Sequence, residues 1–180
     1  MINNHKLDFA TFIKSDNYND RPDTDISLIV IHNISLPPGQ FGTNFVEDFF
    51  TNKLDYKLHP SFNSIKGLKV SSHLYIKRDA AVVQFVPFNK RAWHAGISNY
   101  MGKDNCNDFS IGIELEGSNN IEYSEKQYNI LNIIIKELTK SYPIKHITGH
   151  SNIAKGRKTD PGNAFKWSKL NEFREYIKKV

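Results

Sequence analysis

The apolar positions of this chain fall into blocks whose spacing changes from one to the next. Ile26 to Ile31 (Ile-Ser-Leu-Ile-Val-Ile) is an apolar, β-branched run of strand length, suited to a strand buried on both faces. Asn44 to Phe50 carries Phe45, Val46, Phe49 and Phe50 at i, i+1, i+4 and i+5, the spacing of a short amphipathic helix. Val70 to Lys77 and Val82 to Val86 predict two strands joined through Arg78-Asp79-Ala80-Ala81 as a hairpin. From Phe109 to Glu116 the alternation is regular: Phe109, Ile111, Ile113 and Leu115 share one face, and Ser110, Gly112, Glu114 and Glu116 the other. Ser124 to Ser141 predicts the main helix, with a Ser124–Gln127 capping box, a stripe of Tyr128, Leu131, Ile134, Ile135 and Leu138, and Pro143 beyond its end. His146 to Gly149 is a short strand, and Asn171 to Lys179 a closing helix buried through Leu170, Phe173 and Ile177. Polar Ser15 to Asp25, weakly patterned Thr51 to Gly67 and irregular Phe88 to Asp108 read as loops, and Leu36-Pro37-Pro38-Gly39 as a break. The order strand, helix, hairpin, strand, helix, strand, helix predicts an α/β fold, a central mixed β-sheet flanked by α-helices. A length of 180 residues suits one domain spanning 1–180.

Composition narrows the class. With 39% hydrophobic and 12% aromatic residues the chain is globular in type. The net charge of +5 is dispersed in short Lys/Arg groups, as on a solvated basic surface, with attraction of an anionic ligand as the functional alternative. A nucleic-acid partner would rest on that charge alone, since no binding motif accompanies it. No apolar run approaches membrane-spanning length, so no membrane partner is expected, and Met1 to Ile13 lacks the apolar core of a signal peptide. Cys106 is the only cysteine, which excludes an intramolecular disulfide and fits a cytoplasmic location. It reads as a packed thiol in preference to a nucleophile.

Candidate chemistry concentrates in Gly149 to Gly162, a loop that holds His150, Lys158 and Asp160 between glycines and a proline. His150 and Asp160 can each donate an electron pair to a metal, and Lys158 can neutralise an anion beside it. A catalytic zinc takes three protein ligands and keeps a fourth position open. His32, where the first buried strand ends, is the candidate third ligand, with a satisfied core histidine as the alternative. Glu114 and Glu116 place two carboxylates on one face of an apolar strand, where they are candidates for acid/base work. Trp93 fits either ordinary packing or stacking on a sugar ring. His73 reads as a hydrogen-bonded core or site-lining group, and His59 as surface.

Longer blocks carry a resemblance. Ile29-Val30-Ile31-His32-Asn33-Ile34-Ser35-Leu36-Pro37-Pro38-Gly39, Arg91-Ala92-Trp93-His94-Ala95-Gly96, Asn107 to Gly117 and the loop around His150 are similar to the zinc-dependent N-acetylmuramoyl-L-alanine amidases, a family shared with phage-type lysozymes and peptidoglycan recognition proteins. The similarity runs from about Tyr18 to Trp167. It implies one zinc ion on His32, His150 and Asp160, Glu114 as the proton-transferring carboxylate, and Lys158 as the group that stabilises the oxyanion. Asn33, Ala92, Trp93 and His94 match positions that line the family's substrate cleft. The implied reaction is hydrolysis of the amide between 1,6-anhydro-N-acetylmuramic acid and the L-alanine of the stem peptide, in cytoplasmic recycling of cell-wall fragments. In some bacteria, loss of that activity induces β-lactamase. The implied partner is a 1,6-anhydromuropeptide substrate, with no obligate protein partner.

Three departures stand out. Ala80 occupies a hairpin position where the family commonly has glycine, and Lys69 and Asn105 fall where relatives carry arginines that meet peptide carboxylates. Two rival readings share the fold. A non-catalytic peptidoglycan-recognition module is opposed by the complete His32, His150, Asp160 set. A lytic amidase of phage or autolysin type, acting on polymeric murein, is opposed by the Leu36 to Phe62 segment and the Trp93-His94 loop, which follow the recycling enzymes more closely.

Overall fold

The structure is a computed structural model that describes residues 1–22 and 24–178. Six strands form the central sheet: β1 (Thr11–Phe12), β2 (Leu28–Ile34), β3 (Leu74–Ile76), β4 (Val82–Gln84), β5 (Ser110–Glu116) and β6 (His146–Gly149). Their spatial order is β6-β2-β5-β3-β4-β1. β6, β2, β5 and β3 run parallel, so their carboxyl ends share one edge, while β3 and β4 pair antiparallel as the predicted hairpin. The mixed sheet of the sequence analysis is therefore present, with β2 reaching three residues beyond Ile31 so that His32 lies inside the strand.

The alternation of β2 and β5 divides the core in two. Ile29, Ile31, Ile111, Ile113 and Leu115 face the long helix α2 (Glu125–Ser141), whose stripe of Tyr128, Leu131, Ile134, Ile135 and Leu138 completes the larger cluster. The Ser124–Gln127 capping box forms in both directions, and the Gln127 amide also donates to the carbonyls of Ile76 and Glu116. The opposite face carries α1 (Phe45–Phe50), whose Phe49 and Phe50 pack with Phe62, Tyr75 and Phe85. His32, Ser110, Gly112 and Glu114 belong to this second face. Burying a side chain such as Leu131 or Ile134 contributes about 1.5–3 kcal/mol, which makes α2 the clamp that holds the strands in register.

Several expectations change. The closing helix over Asn171 to Lys179 does not form: a 3-10 helix runs from Trp167 to Phe173, followed by a turn, and Lys179 lies outside the described residues. Leu170 and Phe173 are buried as expected, whereas Ile177 is half-buried beside Ile147. Ser15 to Asp25 is not a free polar loop, because Tyr18–Asp20 pairs with Lys90–Ala92, and Ser15 and Asn17 are buried. Their polar side chains bond the carbonyls of Phe50 and Val70 instead of water, which hides the burial from any hydrophobicity pattern. Thr51 to Gly67 contains a 3-10 helix, Pro60–Ile65, whose amino end is capped by His59; that histidine is half-buried, not a surface group.

The β3–β4 hairpin turns through Arg78, Asp79 and Ala80, with Lys77 N–H donating to Ala81 O and Ala80 at φ +77°. A three-residue hairpin needs a left-handed residue at that place, which costs an L-residue roughly 1–2 kcal/mol. Ala80→Gly is therefore expected to stabilise the protein by about 0.5–1 kcal/mol after the added chain entropy of glycine is subtracted. A shift of the denaturant midpoint to higher concentration at unchanged slope checks it.

Candidate active site

Parallel register brings the chemical side chains together. Glu114 on β5 lies opposite His32 on β2, and Gly149 at the end of β6 lies opposite Ile31, so His150 emerges one step further along. Three adjacent strands thus deliver His150, His32 and Glu114 at one level of the sheet edge. This is the carboxyl edge of the parallel strands, where open α/β sheets place their ligand crevices. Asp160 arrives from the loop after α3 (His150–Ile153), tied back by Ser151 N–H donating to Asp160 O at 2.8 Å. Gly149 is required at that crossing, since a Cβ there would lie 2.7 Å from Pro161 Cδ.

Three donor atoms converge. His32 Nδ1 lies 3.0 Å from His150 Nδ1, and each of the two nitrogens lies 3.1 Å from Asp160 Oδ2. A tetrahedral zinc with bonds of about 2.0–2.1 Å separates its ligand atoms by about 3.3 Å. The three atoms could hold such an ion with shifts of a few tenths of an ångström. The far nitrogens point away: His150 Nε2 lies 3.0 Å from the Ala95 carbonyl oxygen, and His32 Nε2 lies 2.9 Å from His94 Nδ1.

The electrostatics suit a cation. Burial and the adjacent His150 imidazole push the His32 pKa down to about 4 against the pull of Asp160. One of its ring nitrogens therefore keeps a free lone pair at neutral pH. Burial works to raise Asp160, but the adjacent His150 and His32 imidazoles, each with Nδ1 3.1 Å from Oδ2, outweigh it and hold the carboxyl well below its usual range. Glu114 goes the other way: burial, then the negative Asp160, raises its pKa well above 4.5, with Lys158 opposing. Its Oε1 stands 4.0 Å from His32 Nδ1, and its Oε2 has no hydrogen-bond partner among the described residues. A buried, unpartnered carboxyl oxygen beside a cluster of metal donors is poised to take a proton.

These groups form the floor of a cleft of about 260 Å³, whose walls include Leu36, Phe49, Phe50, Ile65, Leu68 and Val70. Of the residues the resemblance marked for the cleft, Asn33, Trp93 and His94 line it, and so does exposed Lys158. Ala92 does not: it is fully buried in the core beneath α1, paired with Tyr18, because strand Lys90–Ala92 turns it inward. Trp93 donates from Nε1 to Asn19 Oδ1 at 2.7 Å, and Asn33 donates to Asn119 Oδ1 and the Pro161 carbonyl, so both are held from behind. Glu116, one step further along the same face of β5, is outside the cleft lining and accepts from Gly42 N–H and Arg78 N–H, a loop tie and not a base. Cys106 is a packed thiol, fully buried with its pKa raised by burial. Lys69 and Asn105 are both exposed.

Arg21 is the contributor that sequence reasoning missed. Its guanidinium donates to the carbonyls of Phe88, Asn107, Asp108 and Ser110, and one Nη lies 3.0 Å from His73 Nε2. It clamps the segment that precedes β5, and only the oddity of an arginine followed by proline in a polar stretch could have drawn attention to it.

Residues 22–163 match the family described as N-acetylmuramoyl-L-alanine amidase. The chain belongs to that family. This amidase is 52% identical over 164 residues to the 1,6-anhydro-N-acetylmuramyl-L-alanine amidase AmpD of Salmonella typhimurium (strain SL1344), covering 89% of this chain and 88% of that protein. Its fold matches the crystal structure of an AmpD selenomethionine derivative with a TM-score of 0.94 at 47% identity, over 96% of this chain and 98% of the other. A more distant amidase, AmiD from E. coli in complex with anhydro-N-acetylmuramic acid-L-Ala-D-gamma-Glu-L-Lys, matches with a TM-score of 0.58 at 29% identity, over 82% of this chain and 56% of the other. Among the described residues no helix is long and apolar enough to cross a membrane.

The Glu114 environment has a consequence for stability. Its folded pKa lies above the unfolded value near 4.5, so the fold favours the neutral acid and is penalised once the group must ionise. Glu114→Gln should therefore stabilise the chelator-treated amidase at pH 7–8. The gain should shrink as pH falls through the raised folded pKa and vanish below about 4.5. Melting curves across that pH range test it, and a gain independent of pH would refute it.

Proposed function

We propose that this amidase acts as one domain over 1–180 and hydrolyses the amide joining the lactyl group of 1,6-anhydro-N-acetylmuramic acid to the L-alanine of the stem peptide, with one zinc ion held by His32, His150 and Asp160. The observation that carries this reading is the meeting of two imidazole Nδ1 atoms and a carboxylate oxygen at 3.0–3.1 Å beside Glu114, whose Oε2 has no hydrogen-bond partner among the described residues. The choice of the anhydro sugar rests on the identity of about half of the aligned positions to enzymes bearing that name.

A zinc bound there supplies a Lewis acid that polarises the scissile carbonyl and lowers the pKa of water toward ~7. The residues do the rest. Glu114 takes the proton of the attacking water as its oxygen bonds to the carbonyl carbon, then passes that proton to the alanine nitrogen as the C–N bond breaks. The products are the lactyl carboxylic acid and the peptide amine, which exchange a proton to become carboxylate and ammonium. Lys158, exposed on the cleft rim, meets the negative charge that develops on the carbonyl oxygen. Asn33, Trp93 and His94 line the cleft where the sugar and the first residue of the peptide would lie. The apolar wall from Phe49, Phe50 and Ile65 excludes water from one side of the bond. The setting is cytoplasmic recycling of peptidoglycan fragments, with an indirect influence on β-lactamase induction through the level of those fragments.

Chelation is expected to abolish turnover and added zinc to restore it. Asp160→Ala should lose zinc, whereas Glu114→Ala should retain zinc, measured by metal analysis, and lose turnover. Lys158→Ala should lower kcat by roughly 10²–10³. Mass spectrometry with a soluble anhydromuramyl tripeptide and with insoluble sacculi separates this function from lysis of polymeric murein. Faster release from sacculi would overturn the choice of substrate, and near wild-type cleavage by Glu114→Ala would overturn the proton-transfer role.

A further inference from the structure

A neutral imidazole carries its proton on one nitrogen or the other, and a metal accepts only the nitrogen that is free. Both His32 and His150 present Nδ1 to the cluster, so both must keep their proton on Nε2. For His150 the cause is one step away. Its Nε2 lies 3.0 Å from the Ala95 carbonyl oxygen, which can only accept.

His32 has no such direct partner. Its Nε2 meets another imidazole, His94 Nδ1, at 2.9 Å, and two imidazoles can share a proton in either sense. The sense is decided further out. His94 Nε2 lies 3.2 Å from Ser110 Oγ, and Ser110 Oγ lies 2.5 Å from the Cys106 carbonyl oxygen. The carbonyl has no proton to give and the hydroxyl has one, so Ser110 donates to Cys106 O and can only accept from His94. His94 is then protonated on Nε2 and offers a lone pair at Nδ1, where only a donating His32 Nε2–H fits.

We propose that the Cys106 carbonyl, Ser110 and His94 form a directional hydrogen-bond relay that holds His32 in its Nε2–H tautomer, which makes His94 and Ser110 positioning residues for metal binding. The proposal rests on the reading of His32 as a zinc ligand. Two further features build the relay into the strand. A Cβ on Gly112 would lie 2.4 Å from His94 Cγ, so only glycine lets the ring lie against β5. Behind it, the His73 ring packs edge-on at 5.7 Å, accepting from Gly112 N–H at Nδ1 and donating from Nε2 to the Lys90 carbonyl. On one face of β5, Ser110 therefore sets direction, Gly112 makes room and Glu114 bears the reactive carboxyl.

The test uses full-length protein with 15N-labelled histidines. Long-range 1H–15N spectra of the metal-free form report each tautomer, and competition with a chelator reports zinc affinity. The wild type should show His32 protonated on Nε2. Ser110→Ala and His94→Phe should give mixed or Nδ1–H His32 and bind zinc about 10–100-fold more weakly. His94→Asn, whose Oδ1 can still accept from His32 Nε2–H, should recover most of that affinity. Melting temperatures, together with unchanged His150 signals, separate this loss from unfolding. Unaltered His32 signals and wild-type zinc affinity in both Ser110→Ala and His94→Phe would overturn the relay. A wild type with His32 on Nε2–H that binds no zinc would instead support the relay and overturn the ligand assignment.

Discussion

The site depends on the parallel register of β6, β2 and β5. In parallel pairing each residue has a fixed neighbour on the next strand, so His32 cannot shift relative to Glu114 unless every hydrogen bond between the strands breaks. A slip of one residue would also turn Ile31 and Ile113 out of the α2 interface and put His32 and Glu114 into it. Packing of α2 on one face therefore enforces alignment of the reactive groups on the other. Length changes inside these strands are excluded for the same reason, and the loops beyond their ends are where variation can be absorbed.

Where pattern and burial coincide, the chain was legible in advance. The alternation of Phe109 to Glu116 separates a core face from a chemical face, the Ser124–Gln127 box marks the start of α2, and the short strand His146 to Gly149 leads into the loop of His150. The candidate ligands meet because His32 sits near the end of β2, His150 follows directly on β6, and Asp160 is tied back to Ser151. Residue type signalled the ligand chemistry and hydrophobic run length signalled position.

What escaped prediction has a common physical cause. Ser15, Asn17 and Arg21 are polar yet bury their polar atoms against backbone carbonyls, so no period in hydrophobicity marks them. His94 was expected at the cleft surface and does line it, but its hydrogen bonds to His32 and Ser110 depend on contacts between segments far apart in sequence. Ala92, marked for the cleft by resemblance alone, is buried beneath α1, and in a two-stranded pairing of three residues nothing local says which face is outward. The closing helix failed because its apolar residues are met by Ile147 and α2 from a 3-10 geometry, which the same spacing permits over so short a stretch.

The exposure of Lys158 sets it apart from the buried His32, His150 and Glu114 and the half-buried Asp160. A charge in contact with bulk solvent is screened over about 8 Å at physiological ionic strength, whereas interactions among buried groups are much less affected. The cleft therefore combines two electrostatic regimes. The pull of the converging donor atoms on a cation is screened far less by salt, while the positive rim weakens as counter-ions gather around it. Ionic strength thus acts on this molecule as a dial on one side of the cleft, leaving the interior as it was.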